Sequence, residues 1–319
     1  MNLKRSFNLF IPFFSILFLL HTSCKEQSIH ASNKALTLNE LAAKSKNPFA
    51  KKPISEAFKE YWYAGKAEIT SYTLEQARYG EIRNGHAVLV FVTEPFLPEK
   101  QVKADRSNGE NVSVLKLNAT KKYLTGIYPY SIMGSTFYPV DDNQHALKTS
   151  LSVQEWCGHV YSQVNNRENF EFTSHSYFES EADQQFELEK NVLENEIWAR
   201  IRINPNDLPV GEIQMIPSLE FVRLRHQRFQ AHNATATLSS QNGIQTYTIY
   251  YPDLDRTLSI DFSEAFPHSI EGWQETFKSG FGPNAKSMTS VATKRKTIQT
   301  AYWGQNSNED VILRDSLGL

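Results

Sequence analysis

Cysteine is scarce: the 319 residues contain two, Cys24 and Cys157. If the first is modified, the second has no disulfide partner in its own chain. An excess of one charge is also missing. The 33 basic and 35 acidic side chains give a formal net charge of −2. That balance argues against a nucleic-acid partner, which needs a concentrated basic surface. No apolar run beyond residue 23 is long enough to cross a bilayer as a helix. Several catalytic signatures are absent. There is no Gly-x-Ser-x-Gly, no His-Glu-x-x-His and no dinucleotide fingerprint. The stretch KSGFGPNAK (Lys278–Lys286) lacks the spacing of a phosphate loop and reads as a surface loop between strands. Asp141, Asp142 and Asn143 lack the ligand count of a calcium loop and read as a turn. No cofactor is implied, and no internal repeat is visible.

What is present begins with an export signal. Lys4 and Arg5 precede an almost unbroken apolar run, Leu9 to Leu20, and the small residues Thr22 and Ser23 lead into Cys24. That order predicts a secretory signal over residues 1–23. Leu20 to Cys24 resembles a bacterial lipobox, with His21 where leucine is usual. The resemblance implies cleavage before Cys24 and fatty acylation of its sulfur, for example with palmitate. At about 0.8 kcal/mol per buried CH₂, several acyl chains hold a folded domain firmly on a membrane. Residues 24–52 are polar and lysine-rich and read as a lipidated tether, with a short helix at Leu36–Ala43. Removing residues 1–23 takes away Lys4, Arg5 and no acid, so the net charge of −2 becomes −4.

Residues 53–319 carry the fold. Ser55 N-caps a predicted helix that places Phe58, Tyr61 and Trp62 on one face, with Gly65 to end it. From Glu68 the hydrophobic period changes to two. HAVLVFVTE is apolar on both faces and predicts a central, covered strand. VSVLKLNAT predicts another strand. SIMGSTFYPV and QHALKTSLSV predict a hairpin, as do GHVYSQV and FEFTSHSYF. One helix interrupts the pattern at EKNVLENEIWARI, with Leu193, Ile197, Trp198 and Ile201 on its apolar side. NPNDLPVG stops it, and a sub-boundary is expected near 204–211. LEFVRLRHQRFQ reads as a basic strand, with Arg223 and Arg225 on one face and His226 and Arg228 on the other. An Asn-Gly turn joins ATATLSS to IQTYTIYY. In TLSIDF, Leu258, Ile260 and Phe262 point inward. Aromatics make up 12% of the chain, which suits β-structure. The expected class is mainly β (α+β): a dozen or so short strands in a strongly curved antiparallel sheet or split half-barrel, with one substantial helix against its concave side.

The segment SVQEWCGHVYSQV offers the one reactive constellation. If Asn165–Asn169 is the hairpin loop, His159 faces His175 and Cys157 faces Tyr177, so one thiol and two imidazoles share a face. Three readings follow. Cys157 is a buried apolar filler, the favoured one. Or Cys157, His159 and His175 bind a metal, without a visible fourth ligand. Or Cys157 is a nucleophile with His159 or His175 as its base, which requires a lowered thiol pKa.

The stretches YWYAGKAEITSYTLEQARYGE, VFVTEPFLPEKQVKAD, GIYPYS, QEWCGHVY and ILRDSLGL together resemble a family of Bacteroidota lipoproteins, whose members are often labelled septum formation inhibitor Maf. True Maf proteins are cytosolic nucleotide pyrophosphatases with a Ser-x-Arg-Arg motif near the N-terminus. This chain has no such motif there and carries an export signal, so pyrophosphatase activity is not expected. The resemblance carries no catalytic residues onto this chain. The expected function is that of a non-enzymatic lipoprotein of the bacterial cell envelope, on the outer membrane rather than the inner. It is held to the membrane by Cys24 and binds an apolar ligand or another envelope protein. The alternatives are a periplasmic enzyme centred on Cys157 and a scaffold that docks a partner through Arg223 and Arg225.

Overall fold

The computed structural model describes residues 51–319, apart from 107, 143 and 281. The expected signal segment, Cys24 and the expected tether as far as residue 50 lie outside the described residues. The described residues fall within one compact unit.

Local rules account for the individual elements. The Ser55 hydroxyl accepts from the Phe58 amide and opens α1 (Glu56–Trp62), whose Phe58 and Trp62 are buried. Asn242 and Gly243 both hold positive φ, 53° and 78°, the conformation a two-residue hairpin turn needs. They join β12 (His232–Gln241) to β13 (Ile244–Tyr251). In β14 (Arg256–Ser263) alternate residues are buried, and Leu258, Ile260 and Phe262 point inward as expected. Arg256 shares that inward file.

The remaining strands are β1 (Ala67–Arg78), β2 (Glu81–Leu97), β3 (Val102–Lys103), β4 (Val112–Thr125), β5 (Tyr128–Pro139), β6 (Lys148–Glu155), β7 (Gly158–Asn166) and β8 (Phe170–Ser176) in the first half. The second half adds β9 (Gln184–Leu188), β10 (Val192–Leu193), β11 (Gly211–Ile216), β15 (Ile270–Ser279) and β16 (Lys286–Thr300). All sixteen belong to one sheet. Several are long: β2 has 17 residues, β16 has 15 and β4 has 14. Pairing is antiparallel except between β10 and β11. Strands on both sides of residues 204–211 belong to this sheet.

The order explains the shape. β1 lies between β2 and the last strand, β16, so the two ends of the described chain are stitched together. The free edges are β9 and β10. Only Glu189–Asn191 separates them, a link that spans roughly 14 Å at full extension. The sheet therefore curls almost into a barrel, with an unbonded seam in mid-sequence. A sheet this wide curls because twist accumulates from strand to strand.

Helix α2 (Glu194–Ile203) starts at the seam and runs inside the curl. It begins later than the sequence pattern implies, because Val192 and Leu193 pair with β11 instead. Its neighbours come from around the sheet: Glu68 of β1, Thr136 of β5 and Arg256 of β14 all bond to it.

One expected strand is a helix. Leu219–Arg225 forms α3, N-capped by the Ser218 hydroxyl on the Phe221 amide. Glu220 in its first turn and Arg223 and Arg225 in its last complement the helix dipole, a signal the alternation of apolar residues obscured. Arg223 is buried, Arg225 is half-buried, and His226 and Arg228 are exposed. The segment expected to be a basic strand is therefore a helix, and Arg223 and Arg225 do not lie exposed together on a strand face.

The central strand β2 is covered on both faces. Inside it meets the main core; outside, Val88, Val90 and Val92 pack with Leu317 of α4 (Leu313–Leu317). The Ser71 hydroxyl of β1 bonds to the Leu317 carbonyl and secures that cover. Among the described residues, no helix is long and apolar enough to cross a membrane.

Candidate functional site

The constellation around Cys157 does not assemble. Trp156 and Cys157 are the two-residue turn between β6 and β7, and Glu155 pairs with Gly158 across it. The Cys157 thiol is exposed, so the buried-filler reading is wrong. The reason is turn length: the chain reverses at Trp156–Cys157, one residue pair earlier than a continuous strand through Cys157 requires. A hydrogen bond to Glu155 and the charge of that carboxylate push the thiol pKa up, away from a ready nucleophile.

The next hairpin is shifted too. Its loop is Arg167–Asn169, so His175 faces Tyr161 rather than His159. A shift of two preserves the face, and both imidazoles lie exposed on the convex side. His175 Nδ1 stands 3.3 Å from Asp183, itself exposed. Among the described residues no three His, Cys, Asp or Glu side chains are grouped to hold a metal ion. Gly158 serves a packing role, since a Cβ there would lie 2.8 Å from the Tyr177 ring.

Two other segments follow the sequence reading. Lys278–Lys286 joins β15 to β16 through a short 3₁₀ turn, Gly282–Asn284. Asp142 Oδ1 accepts from the Gln144 amide at 2.9 Å, an Asx-type turn.

The chemistry that sequence reading missed is inside. Helix α2 is surrounded by apolar strands, yet Glu194, Glu196, Arg200 and Arg202 on it are all buried. Each has partners. Arg202 meets both carboxylate oxygens of Glu68 at 2.6 Å. Burial works to raise the Glu68 pKa, but the charge and hydrogen bonds of Arg202 outweigh it and hold the carboxyl low. Arg256 bridges Glu194 and Glu275 at 2.7 Å each, and Tyr251 donates to Glu194 at 2.8 Å. Burial opposes the charge on Glu194 as well, and Arg256 again reverses the balance and lowers its pKa. Glu196 accepts from the Ala146 amide at 2.8 Å. The one clue in sequence was the excess of charge on a helix flanked by strands.

The helix divides the interior. At its C-terminal end a cavity of about 350 Å³ lies between Phe58, Tyr138, Ile203 and His268, and the incoming chain at Lys52–Ala57 forms one wall. At its N-terminal end a second cavity, about 90 Å³, is enclosed by the sheet, α2 and α3. Both hold buried polar atoms without a partner, Tyr138 Oη and Arg200 Nε on the larger and the Gln76 oxygen on the smaller. The smaller one is the better candidate, because it also holds a guanidinium, that of Arg225, with no hydrogen bond or ion pair among the described residues.

Its room comes from a small cross-strand pair. Ala119 of β4 faces Gly134 of β5, and both line the space. Leu89, Leu117, Leu151 and Leu258 give it aliphatic walls, and Trp198 meets Trp273 edge-on at 5.3 Å beside it. Gln76 also lines it and is 1% exposed. Its amide nitrogen donates to the Ala77 carbonyl and to Ser290, which orients the group, and its buried oxygen has no partner. A buried acceptor left unpaired costs about 1–3 kcal/mol, so the site calls for a donor there. The half-buried Arg225 also lines the space; its guanidinium lies over the Phe277 ring and makes no hydrogen bond or ion pair among the described residues.

Helix α3 closes this cavity at the rim. Arg78 donates to the Leu224 carbonyl at 2.7 Å, and Lys121 pairs with Glu220 at 2.7 Å. Glu181 bonds to His226 and stands 3.8 Å from Arg223. At roughly 30 Å³ per water, the enclosed space holds about three waters. Ligand pockets usually measure about 300–1,000 Å³. A longer ligand has to shift α3 or extend past it.

Comparison with known proteins adds one fold. No protein-family model and no curated protein matches the chain. A crystal structure of a β-barrel-like protein of the domain of unknown function DUF1849, from Brucella abortus, superimposes with a TM-score of 0.43 at 9% identity. The match covers 73% of this chain and 97% of that one. Similarity at that level carries no inference about activity.

Proposed function

We propose that this chain is a non-catalytic binding protein of the bacterial envelope, tethered by acylated Cys24, which holds a small amphipathic ligand beside α2. The observation that carries the reading is one cavity in which Ala119 and Gly134 leave room and which the unpartnered Gln76 oxygen also lines. An aliphatic body suits the leucine and tryptophan walls. A hydrogen-bond donor suits Gln76, and an anionic group suits the unpaired Arg225. The buried ion pairs on α2 are read as positioning the helix rather than as catalysts, since each charge is already matched by a partner.

The test is native mass spectrometry and organic extraction of protein purified from its own envelope. A stoichiometric small amphiphile supports the reading, and its loss in Gly134→Leu places it in this cavity. Ligand-free protein that also takes up no fatty acid or lysolipid in solution overturns it. The anchor is tested separately: incorporation of a palmitate analogue should vanish in Cys24→Ser.

A further inference from the structure

The rim closed by α3 carries a second feature. Large apolar side chains there occupy turn positions, where polar residues and glycine are the rule. Gly126 and Ile127 form the turn between β4 and β5, and Ile127 is 81% exposed, beside Leu124 at 59%. In the next turn along, between β6 and β7, Trp156 is 68% exposed. The Tyr128 and Trp156 rings, 6.3 Å apart, connect the two turns. Tyr177, 76% exposed, packs on Gly158 at the edge of the same group. The hairpin turns Asn242–Gly243 and Arg167–Asn169 show the ordinary polar composition.

We infer that this rim rests on a lipid bilayer, with Leu124, Ile127, Trp156 and Tyr177 entering its interfacial layer. The side chains come from two neighbouring turns, from the end of β4 and from the residue that follows β8, so one continuous apolar phase meets them together. Tryptophan and tyrosine favour the headgroup boundary, and leucine and isoleucine the acyl region below it. The rim also holds α3, the element that closes the ligand cavity, so a displaced α3 would open that cavity toward the membrane. An anchored Cys24 is compatible with this pose. The 27 residues from there to Lys51 span at most roughly 90 Å, longer than the roughly 50 Å breadth of a domain this size, so the tether imposes no orientation. The inference goes beyond the ligand reading and stands or falls separately from it.

Cys157 supplies a native probe. A chain starting at Lys25 lacks the acylation site and retains all sixteen strands within the compact unit, and its one thiol sits next to Trp156. Labelled there with an environment-sensitive dye, it is mixed with vesicles of phosphatidylethanolamine and phosphatidylglycerol, 3:1. The expected result is a blue shift quenched by nitroxide-bearing lipid. Leu124→Glu with Ile127→Glu should weaken vesicle partitioning by more than about tenfold. The thermal midpoint should be unchanged, because both side chains are already exposed. A folded labelled chain whose spectrum ignores vesicles overturns the inference. So does undiminished partitioning of the double variant. A shift that depends on protein concentration without vesicles overturns it in favour of self-association.

Discussion

Arg202 on α2 and Glu68 on β1 stand 134 positions apart in the chain and meet in a two-pronged ion pair, both arms 2.6 Å. The guanidinium also lies over the rings of Trp62 and Phe91, 4.9 and 4.7 Å from their centroids. The pair joins the interior helix to the strand where the two ends of the sheet are stitched, so it fixes the depth of α2 in the curl.

Removing one partner leaves a buried charge uncompensated. Arg202→Met should destabilise the fold by about 3–5 kcal/mol. Arg202→Met combined with Glu68→Leu should recover much of that loss, because no charge then remains to be solvated. Urea unfolding of the two variants checks this; equal stabilities would show that the pair's charge is not what matters.

Acid should act on the same groups. Glu68 and Glu194 both have pKa values lowered from the ordinary 4.5. A carboxyl depressed in the folded state contributes stability that is present above its unfolded pKa and is lost as pH falls through the folded one. The urea midpoint should therefore vary little on account of these groups from pH 7 to 5, then decline below about 4.5. Glu194→Gln should lower the neutral plateau and flatten the acid slope.

Two glycines predict opposite outcomes. A Cβ on Gly134 would meet its nearest atom, the Ser150 carbonyl, at 3.7 Å, an ordinary contact. On Gly85 it would lie 2.2 Å from the Lys122 carbonyl. Gly134→Ala should leave stability unchanged or slightly raised, because it fills vacant space in a strand. Gly85→Ala should cost about 1–3 kcal/mol through forced backbone displacement. Thermal midpoints of the two variants decide.

The Cys157 thiol should label completely in the native state yet slowly at neutral pH, since exposure is combined with a raised pKa. Glu155→Gln should speed labelling at pH 7, and the rate should climb with pH beyond the ordinary thiol range. Fast labelling at pH 7 in the unmodified chain would return Cys157 to consideration as a nucleophile.

Much of the fold was legible in short windows. Ser55, the Asn242–Gly243 turn and the alternation in β14 each act through their own neighbours, so their outcome needs no distant partner. Leu219–Arg225 misled because its apolar residues alternate while its cap and charge placement are helical, and packing over the rim decided in favour of the helix. The register of β7 and β8 slipped by two because loop length, not side-chain pattern, sets it.

The site was far less visible. Gln76, Ala119 and Gly134 look unremarkable one at a time, and their meaning depends on being brought to one side of α2. Sequence alone determined that the chain is β-rich, where the Asn242–Gly243 hairpin turns and that a helix interrupts the strands, because turn conformation and strand alternation are short-range. Tertiary structure decided that β16 joins β1, that the charged helix lies inside and that a gap remains beside it. Those outcomes depend on burying the faces of sixteen strands at once, and pairings across more than two hundred residues are settled only by that collective burial.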